Sequence, residues 1–139
     1  MKQFTLTVLL ILCFQTSMLW GQLAPANYSA THDLSKSFIE YNLVLEDDNT
    51  FNFHFYRKID CEQCVEENKY GKGTWRIEGK SLLLTSNAET DINEEFVLNL
   101  SNSKARLIHK RNYEGQKVML LKFYESDIFW VKGMELQPD

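Results

Sequence analysis

The sequence predicts an all-β protein, a small antiparallel up-and-down barrel or half barrel of about eight strands. Three observations favour this fold class. Short strand-like runs recur along the chain, polar turn residues separate them, and Phe51, Phe53 and Phe55 alternate with polar neighbours as on a strand with one buried face. Closing such a meander into a barrel removes the exposed edges of its sheet.

Residues 1–22 are expected to be a signal peptide and not part of the fold. Lys2 precedes an apolar run that reaches Trp20 and is interrupted by Gln15, Thr16 and Ser17. This run is shorter and more polar than a membrane-spanning helix requires. We therefore expect a secreted or periplasmic protein with no transmembrane anchor after cleavage.

Residues 23–139 are expected to form a single domain. The two prolines, Pro25 and Pro138, lie near its ends, and no low-complexity linker separates them. The formal charge of the whole chain is −4, or −5 once Lys2 is removed, and no Lys/Arg cluster occupies a single stretch of sequence. Nucleic acid is therefore not an expected partner.

The first half of the domain contains one weak helix signal and four predicted strands. In the segment 30–40, Asp33 or Ser35 is placed to cap a short helical turn. An acidic turn at 46–49 and the pair Glu78-Gly79 mark two chain reversals. The strands predicted around them are 38–45, 50–56, 73–77 and 81–85.

The second half of the domain also contains four predicted strands. Turn residues at 101–103, 112–115 and 125–127 separate short runs of apolar and β-branched residues. These runs predict strands at 95–100, 105–110, 117–124 and 128–134.

The segment 71–84, GKGTWRIEGKSLLL, resembles the lipocalin-like domains of bacterial envelope proteins. In those domains a strand ending in G-x-W turns through a short polar pair into K-L-x-L-T. The preceding DNTFNF at 48–53 is similar to their d-G-T-F-x-F strand, so that the resemblance covers roughly 41–85, about a third of the chain. It implies a barrel of the lipocalin-like kind.

Cys61 and Cys64 form a C-x-x-C pair in the predicted mature chain, and three interpretations of it stay open. A local structural disulfide is the first expectation for an exported domain. A redox dithiol is disfavoured, because Asp60, Glu62 and other nearby carboxylates raise a thiol pKa. A two-ligand Cu(I) site is the third. It is supported by a second similarity, to the N-terminal domain of copper-responsive envelope lipoproteins, which also combine C-x-x-C with a G-T-W hairpin.

No G-x-S-x-G, H-E-x-x-H or phosphate-loop spacing is present in the sequence, so we expect no enzymatic activity and no cofactor. The expected function is binding of a small apolar or amphiphilic molecule, or service as an interaction module. The alternative is a periplasmic copper-binding or envelope-stress sensor that uses Cys61 and Cys64. The candidate lining residues for a ligand are Phe53, Phe55, Trp75, Leu120, Phe129 and Trp130, with Arg76, Lys122 or Lys132 as a polar handle.

Overall fold

A computed structural model of the chain describes residues 25–139, so the predicted signal peptide lies outside the described residues. The described part is all-β and contains no helix; accordingly, none of it forms a helix long and apolar enough to cross a membrane. Its eight strands are β1 (Asn27–Leu34), β2 (Ser37–Leu45), β3 (Thr50–Ile59), β4 (Glu67–Glu78), β5 (Ser81–Thr85), β6 (Ser103–Arg111), β7 (Lys117–Glu125) and β8 (Glu135–Pro138).

The eight strands form a closed antiparallel barrel in which each strand pairs with its neighbours in sequence and β8 returns to β1. The predicted fold class is therefore confirmed. The connections alternate between the two ends of such a barrel. The turns β1–β2, β3–β4, β5–β6 and β7–β8 lie at one end, and the turns β2–β3, β4–β5 and β6–β7 lie at the other.

The barrel closes through a short seam. β8 has four residues, and its register with β1 covers only the pairs Tyr28 to Pro138 and Ser29 to Gln137. Its register with β7 is equally short. β1 and β7 are eight and nine residues long, so both extend past β8.

The helical turn predicted at 30–40 is wrong, because this segment forms the β1–β2 hairpin. Residues such as Ala30 and Tyr41 pair across it, and the register continues to Leu34 and Ser37. A capping residue at Asp33 or Ser35 is a local signal of modest strength. Pairing along all eight residues of β1 outweighs it.

Two predicted strands differ from the structure. The run 95–100 lies beside β4 but makes one isolated bridge, between Gly71 and Leu98, and is otherwise irregular. The run 128–134 forms consecutive turns, in which the amides of Val131 and Lys132 both donate to the carbonyl of Ile128. The strands that complete the barrel are instead β1 and β8.

Alternate side chains of the strands fill the barrel interior. Phe51, Phe53 and Phe55 of β3 are all buried, as their alternation in the sequence indicates. Gly73 and Gly71 of β4 lie opposite the first two of these rings. A methyl group on Gly73 would overlap the carbonyl oxygen of Thr85 and approach Phe51 to 2.9 Å, so β4 needs glycine there.

The 86–102 connection packs against the barrel through a small polar network. The hydroxyl of Ser86 donates to the carbonyl of Lys72 at 2.8 Å and accepts from the amide of Leu100. The hydroxyl of Ser101 donates to the carbonyl of Ser86 at 2.9 Å. These bonds satisfy backbone groups of a connection that would otherwise bury them unpaired, and they hold the buried Leu100 against the core.

Candidate functional site

An open cleft of about 1080 Å³ lies along the short seam of the barrel. One wall is β1 from Ser29 to His32, and the other is the β6–β7 hairpin, including Val118 and Leu120. The floor consists of β8 and the end of the β7–β8 connection. The cleft exists because β8 is shorter than both of its neighbours, whose side chains project past it on either side.

The inner wall of the cleft is aromatic and is built around Trp130. The β7–β8 connection turns this indole toward the barrel axis, where it packs against Phe55 with ring centroids 5.1 Å apart and against Phe53 at 6.1 Å. Tyr41 of β2 stacks on it at 6.0 Å with an interplanar angle of 25°. Trp130 and Tyr41 are only partly buried and both line the cleft. They therefore connect the core to a surface that a ligand can reach.

The remainder of the cleft combines apolar and polar contacts. Leu120 is 6% exposed and Val118 is partly buried, so they supply an aliphatic wall on β7. His32 meets Tyr41 edge to face, with ring centroids 6.0 Å apart. Burial raises the pKa of the Tyr41 phenol above its ordinary value, and the positive charge of Arg57 opposes this to a smaller extent. The phenol therefore stays neutral at neutral pH.

The rim of the cleft carries more positive than negative charge. Lys110, Arg111 and Lys132 line it, and Glu135 is the acidic residue among the lining side chains. The carboxylate of Glu135 is shared by two lysines, Lys110 at 3.1 Å and Lys122 at 3.5 Å. Lys132 has no ion pair within residues 25–139, so its charge is not offset locally by a described carboxylate.

The structure brings three of the predicted ligand-binding residues together in this cleft: Leu120, Trp130 and Lys132. Phe53 and Phe55 lie behind them in the core. The contact between Phe55 and Trp130 links the two sets.

The other predicted ligand-binding residues lie elsewhere. Trp75 is buried outside the cleft lining, where its indole N–H donates to the carbonyl of Glu46 at 2.9 Å and so closes the β2–β3 turn. Arg76 is exposed and paired with Glu78. Lys122 lies outside the cleft lining and forms an ion pair with Glu135. Phe129 is 87% exposed, although it directly precedes the inserted Trp130.

Tyr41 and the cationic residues Lys110 and Arg111 are lining residues that the sequence analysis did not name. A signal for Tyr41 was available, because Tyr41, Leu43 and Leu45 alternate along β2 as the phenylalanines do along β3. Sequence position gives no comparable signal for the two cations. Their place in the cleft depends on how far the β6–β7 hairpin projects beyond β8.

The sulfur atoms of Cys61 and Cys64 are at disulfide distance in the β3–β4 connection, with Cα atoms 5.2 Å apart. Both residues are exposed. Within residues 25–139 no group of three or more His, Cys, Asp or Glu side chains is arranged to hold a metal ion. The pair therefore links the two ends of a tight loop between two long strands and lies apart from the cleft lining.

Comparisons of the chain with protein-family models, curated proteins and solved structures found no match.

Proposed function

We propose that this chain is an exported, non-enzymatic binding domain of the lipocalin-like kind, which holds one small amphiphilic molecule in the seam cleft. The observation that carries the proposal is that the partly exposed stack of Trp130 and Tyr41 lines the same cleft as Lys132, whose ammonium group has no ion pair among the described residues. An apolar surface with a few convergent polar groups is the usual composition of a small-molecule site.

The size of the cleft supports a ligand with an extended apolar part. Ligand sites enclose roughly 300–1,000 Å³, and the cleft, at about 1080 Å³, is slightly larger than that. Because it is open along one side, a chain or flat ring system lying on Trp130 and Leu120 would keep one face toward water. Molecules with both an apolar and a polar side suit such a site best.

The cleft is a better candidate than the barrel axis. Phe51, Phe53 and Phe123 are almost fully buried and fill the interior together with the surrounding leucines. An eight-stranded barrel has an interior that side chains alone can fill. A ligand on the axis would have to displace these rings, whereas the cleft needs no such rearrangement.

We propose binding alone, with no catalysed reaction in the cleft. Besides hydroxyl and amide side chains, the polar groups of the cleft are cations, one histidine and one carboxylate that already accepts from two lysines. A copper site at Cys61 and Cys64 is not proposed either, because a disulfide has no thiolate to offer and the metal would first require reduction.

Titration with three dodecyl amphiphiles tests the proposal: dodecanoate, dodecyl maltoside and dodecyltrimethylammonium, each below its micellar concentration. We expect saturable quenching or shifting of tryptophan fluorescence through Trp130, strongest for dodecanoate and weakest for the cationic probe, above a constant contribution from Trp75, which lies outside the cleft lining. Lys132→Glu should weaken dodecanoate binding about tenfold or more and leave dodecyl maltoside binding nearly unchanged.

The matched controls are Lys80→Glu, which makes the same charge change in the β4–β5 turn, and Phe129→Leu, which alters the exposed neighbour of Trp130. Both should bind like the parent protein. Absence of saturable binding for all three probes would refute the proposal. Trp130→Leu lacks the reporting indole, so its binding is measured by titration calorimetry. Unchanged affinity in this variant would place the ligand elsewhere in the barrel.

A further inference from the structure

The β6–β7 hairpin concentrates the positive charge of the protein. Between 104 and 122 the sequence has six lysines and arginines and one acidic residue, Glu114, whereas the remainder has nine basic and 18 acidic residues. The basic residues are interleaved with apolar ones, which explains why the sequence analysis found no Lys/Arg cluster. Pairing of β6 with β7 brings them together.

Four of these six cations have an acidic or aromatic partner, and a fifth, Arg111, donates to the backbone carbonyl of Gly115 at 2.8 Å. Lys104 pairs with Glu125 at 3.4 Å, and Lys110 and Lys122 share Glu135. The guanidinium group of Arg106 lies 4.3 Å from the centre of the Tyr124 ring. The cations at the tip of the hairpin, Arg111 and Lys117, have no acidic partner within residues 25–139.

Arg111 and Lys117 lie directly opposite each other in the β6–β7 register. Like charges at opposed positions of an antiparallel pair destabilise it. The next pair on the same face is His109 with Met119, which is 41% exposed. The end of the hairpin therefore presents an uncompensated cationic pair next to an exposed apolar side chain, an arrangement that an external anion would relieve.

The turn beyond this pair holds an aromatic side chain in water. Tyr113 is fully exposed. The side-chain oxygen of Asn112 accepts from the amides of Glu114 at 3.0 Å and Gln116 at 2.9 Å, and the backbone of Asn112 is bonded to Gly115 and Gln116. These bonds fix the backbone of the turn. The Tyr113 side chain therefore projects into solvent from an ordered turn.

We propose that the tip of the β6–β7 hairpin docks on an anionic lipid bilayer, with Arg111 and Lys117 at the headgroups and Tyr113 at the interface. Basic residues near such a surface each strengthen binding about fivefold, and tyrosine is enriched at the headgroup level of membranes. Charge complementarity favours this partner, because the tip is cationic on a chain that is acidic elsewhere. The docking proposal does not depend on a ligand in the seam cleft.

The decisive variant is Lys117→Glu, which places a carboxylate opposite Arg111. If the cationic pair serves only the fold, this change has no effect on membranes. We expect the urea midpoint to rise, since repulsion becomes attraction, while partition onto vesicles of phosphatidylglycerol and phosphatidylcholine falls about 30-fold or more, because one positive charge is lost and a negative one is added. Gain of stability with loss of docking separates the two roles.

The experiment is vesicle sedimentation of the processed protein, with pure phosphatidylcholine vesicles and 0.5 M salt as conditions that should abolish binding. Lys36→Glu, in the β1–β2 turn at the other end of the barrel, is the matched charge control and should bind like the parent. In Tyr113→Trp, lipids brominated on their acyl chains should quench the new indole.

Three results would overturn the docking proposal. Equal binding to anionic and neutral vesicles would show that charge is not recognised. Unchanged partition of Lys117→Glu would assign binding to another surface. Retention on immobilised heparin without binding to either vesicle would make the tip a site for an anionic polysaccharide in place of a lipid.

Discussion

Gly73 shows how one residue of the G-x-W segment constrains the whole barrel. The residue faces Phe51 across the β3–β4 ladder and leaves no room for a side chain against Thr85. In the sequence, GKGTW indicates a strand and carries the lipocalin-like resemblance, but it does not reveal why the glycine is needed. The structure supplies the physical reason for the glycine, which is a close approach of β4 to the β5 backbone.

Gly73→Ala should therefore destabilise the protein by about 2–4 kcal/mol, because the added methyl overlaps backbone and a core ring that cannot both move away. Gly79→Ala is the matched control. A methyl group added at Gly79 would meet no other atom, and the only cost is the positive φ of 63°. Gly79→Ala should therefore lower the free energy of unfolding by about 1 kcal/mol. Urea unfolding of the two variants measures the difference, and equal losses would contradict the steric argument.

Phe129 and Trp130 are neighbours that the sequence cannot tell apart. Both are aromatic, both fall in the predicted strand 128–134, and both were expected to line a ligand site. In the turn that actually forms, Phe129 is 87% exposed, while Trp130 contacts Phe53, Phe55 and Tyr41.

Trp130→Ala should cost about 2–4 kcal/mol of unfolding free energy, through lost burial and aromatic contacts. Phe129→Ala should change it by less than about 0.5 kcal/mol, as for other exposed positions. Thermal or urea unfolding of the pair gives the comparison. A large loss in Phe129→Ala would mean that this ring is covered in solution.

The elements of the barrel differ in how strongly the sequence marks them. β3 was predicted well, because Phe51, Phe53 and Phe55 alternate without interruption and an acidic turn precedes them. β5 was predicted with its observed bounds for the same reason, since Gly79 ends the turn before it and Leu82 and Leu84 alternate inward. Local pattern and tertiary role agree in both strands.

β1 and β8 were not predicted as strands, because neither has the alternating apolar pattern of a strand with one buried face. β1 is largely exposed and polar, and β8 is four residues long and ends in proline. Both form strands because they pair with β2, with β7 and with each other when the barrel closes. The same seam creates the cleft. Trp130 and Lys132 could be named from the sequence because they are aromatic and basic, whereas the cleft wall formed by β1 could not, because β1 was not predicted as a strand.

The β3–β4 connection is the element in which the cysteine pair acts. Closing a loop of four residues stabilises a fold by about 2 kcal/mol in the chain-entropy model. A Cys61→Ser/Cys64→Ser variant should lose about that amount and keep the barrel, because the loop is exposed and outside the core.

The parent protein contains the control for this prediction. Reductant should lower its urea midpoint to that of the double variant and should leave the variant unaffected. If reductant has no effect on the parent while the variant is destabilised, the loss comes from the serine side chains and not from the disulfide.

At the scale of the whole molecule, titratable groups predict how stability depends on pH. A hydrogen bond from Lys69, with a second from Arg57, holds the pKa of Glu67 below its ordinary value of 4.5. This stabilisation is present above pH 4.5 and is lost as the pH falls. Burial raises the pKa of Tyr28 above 10.0, so its contribution is complete below pH 10 and is lost as the pH rises further. Hydrogen bonding of Tyr124 to Ser81 lowers its pKa and offsets part of the alkaline loss.

The free energy of unfolding should therefore be highest between these limits and fall on both sides. Glu67→Gln should flatten the acid side, and Tyr28→Phe should remove the Tyr28 share of the alkaline loss while leaving that of Tyr41, whose pKa is also raised by burial. Urea unfolding across the pH range tests both variants against the parent. An acid limb that is unchanged in Glu67→Gln would assign it to other carboxylates, such as Asp48, whose pKa is lowered by its bonds to Thr50.

The seam also decides how the chain can be rearranged. The backbone amide of Asp139 donates to the carbonyl of Asn27 at 2.9 Å, so the first and last strands end side by side. A linker of a few residues between them would turn the weakest junction of the barrel into an ordinary hairpin. Adding this linker and opening the chain at the exposed Gly79 turn should give a circular permutant with the same strand order in space. In such a molecule the cleft would be flanked by covalently joined strands, and the ends of the chain would lie on the other side of the barrel.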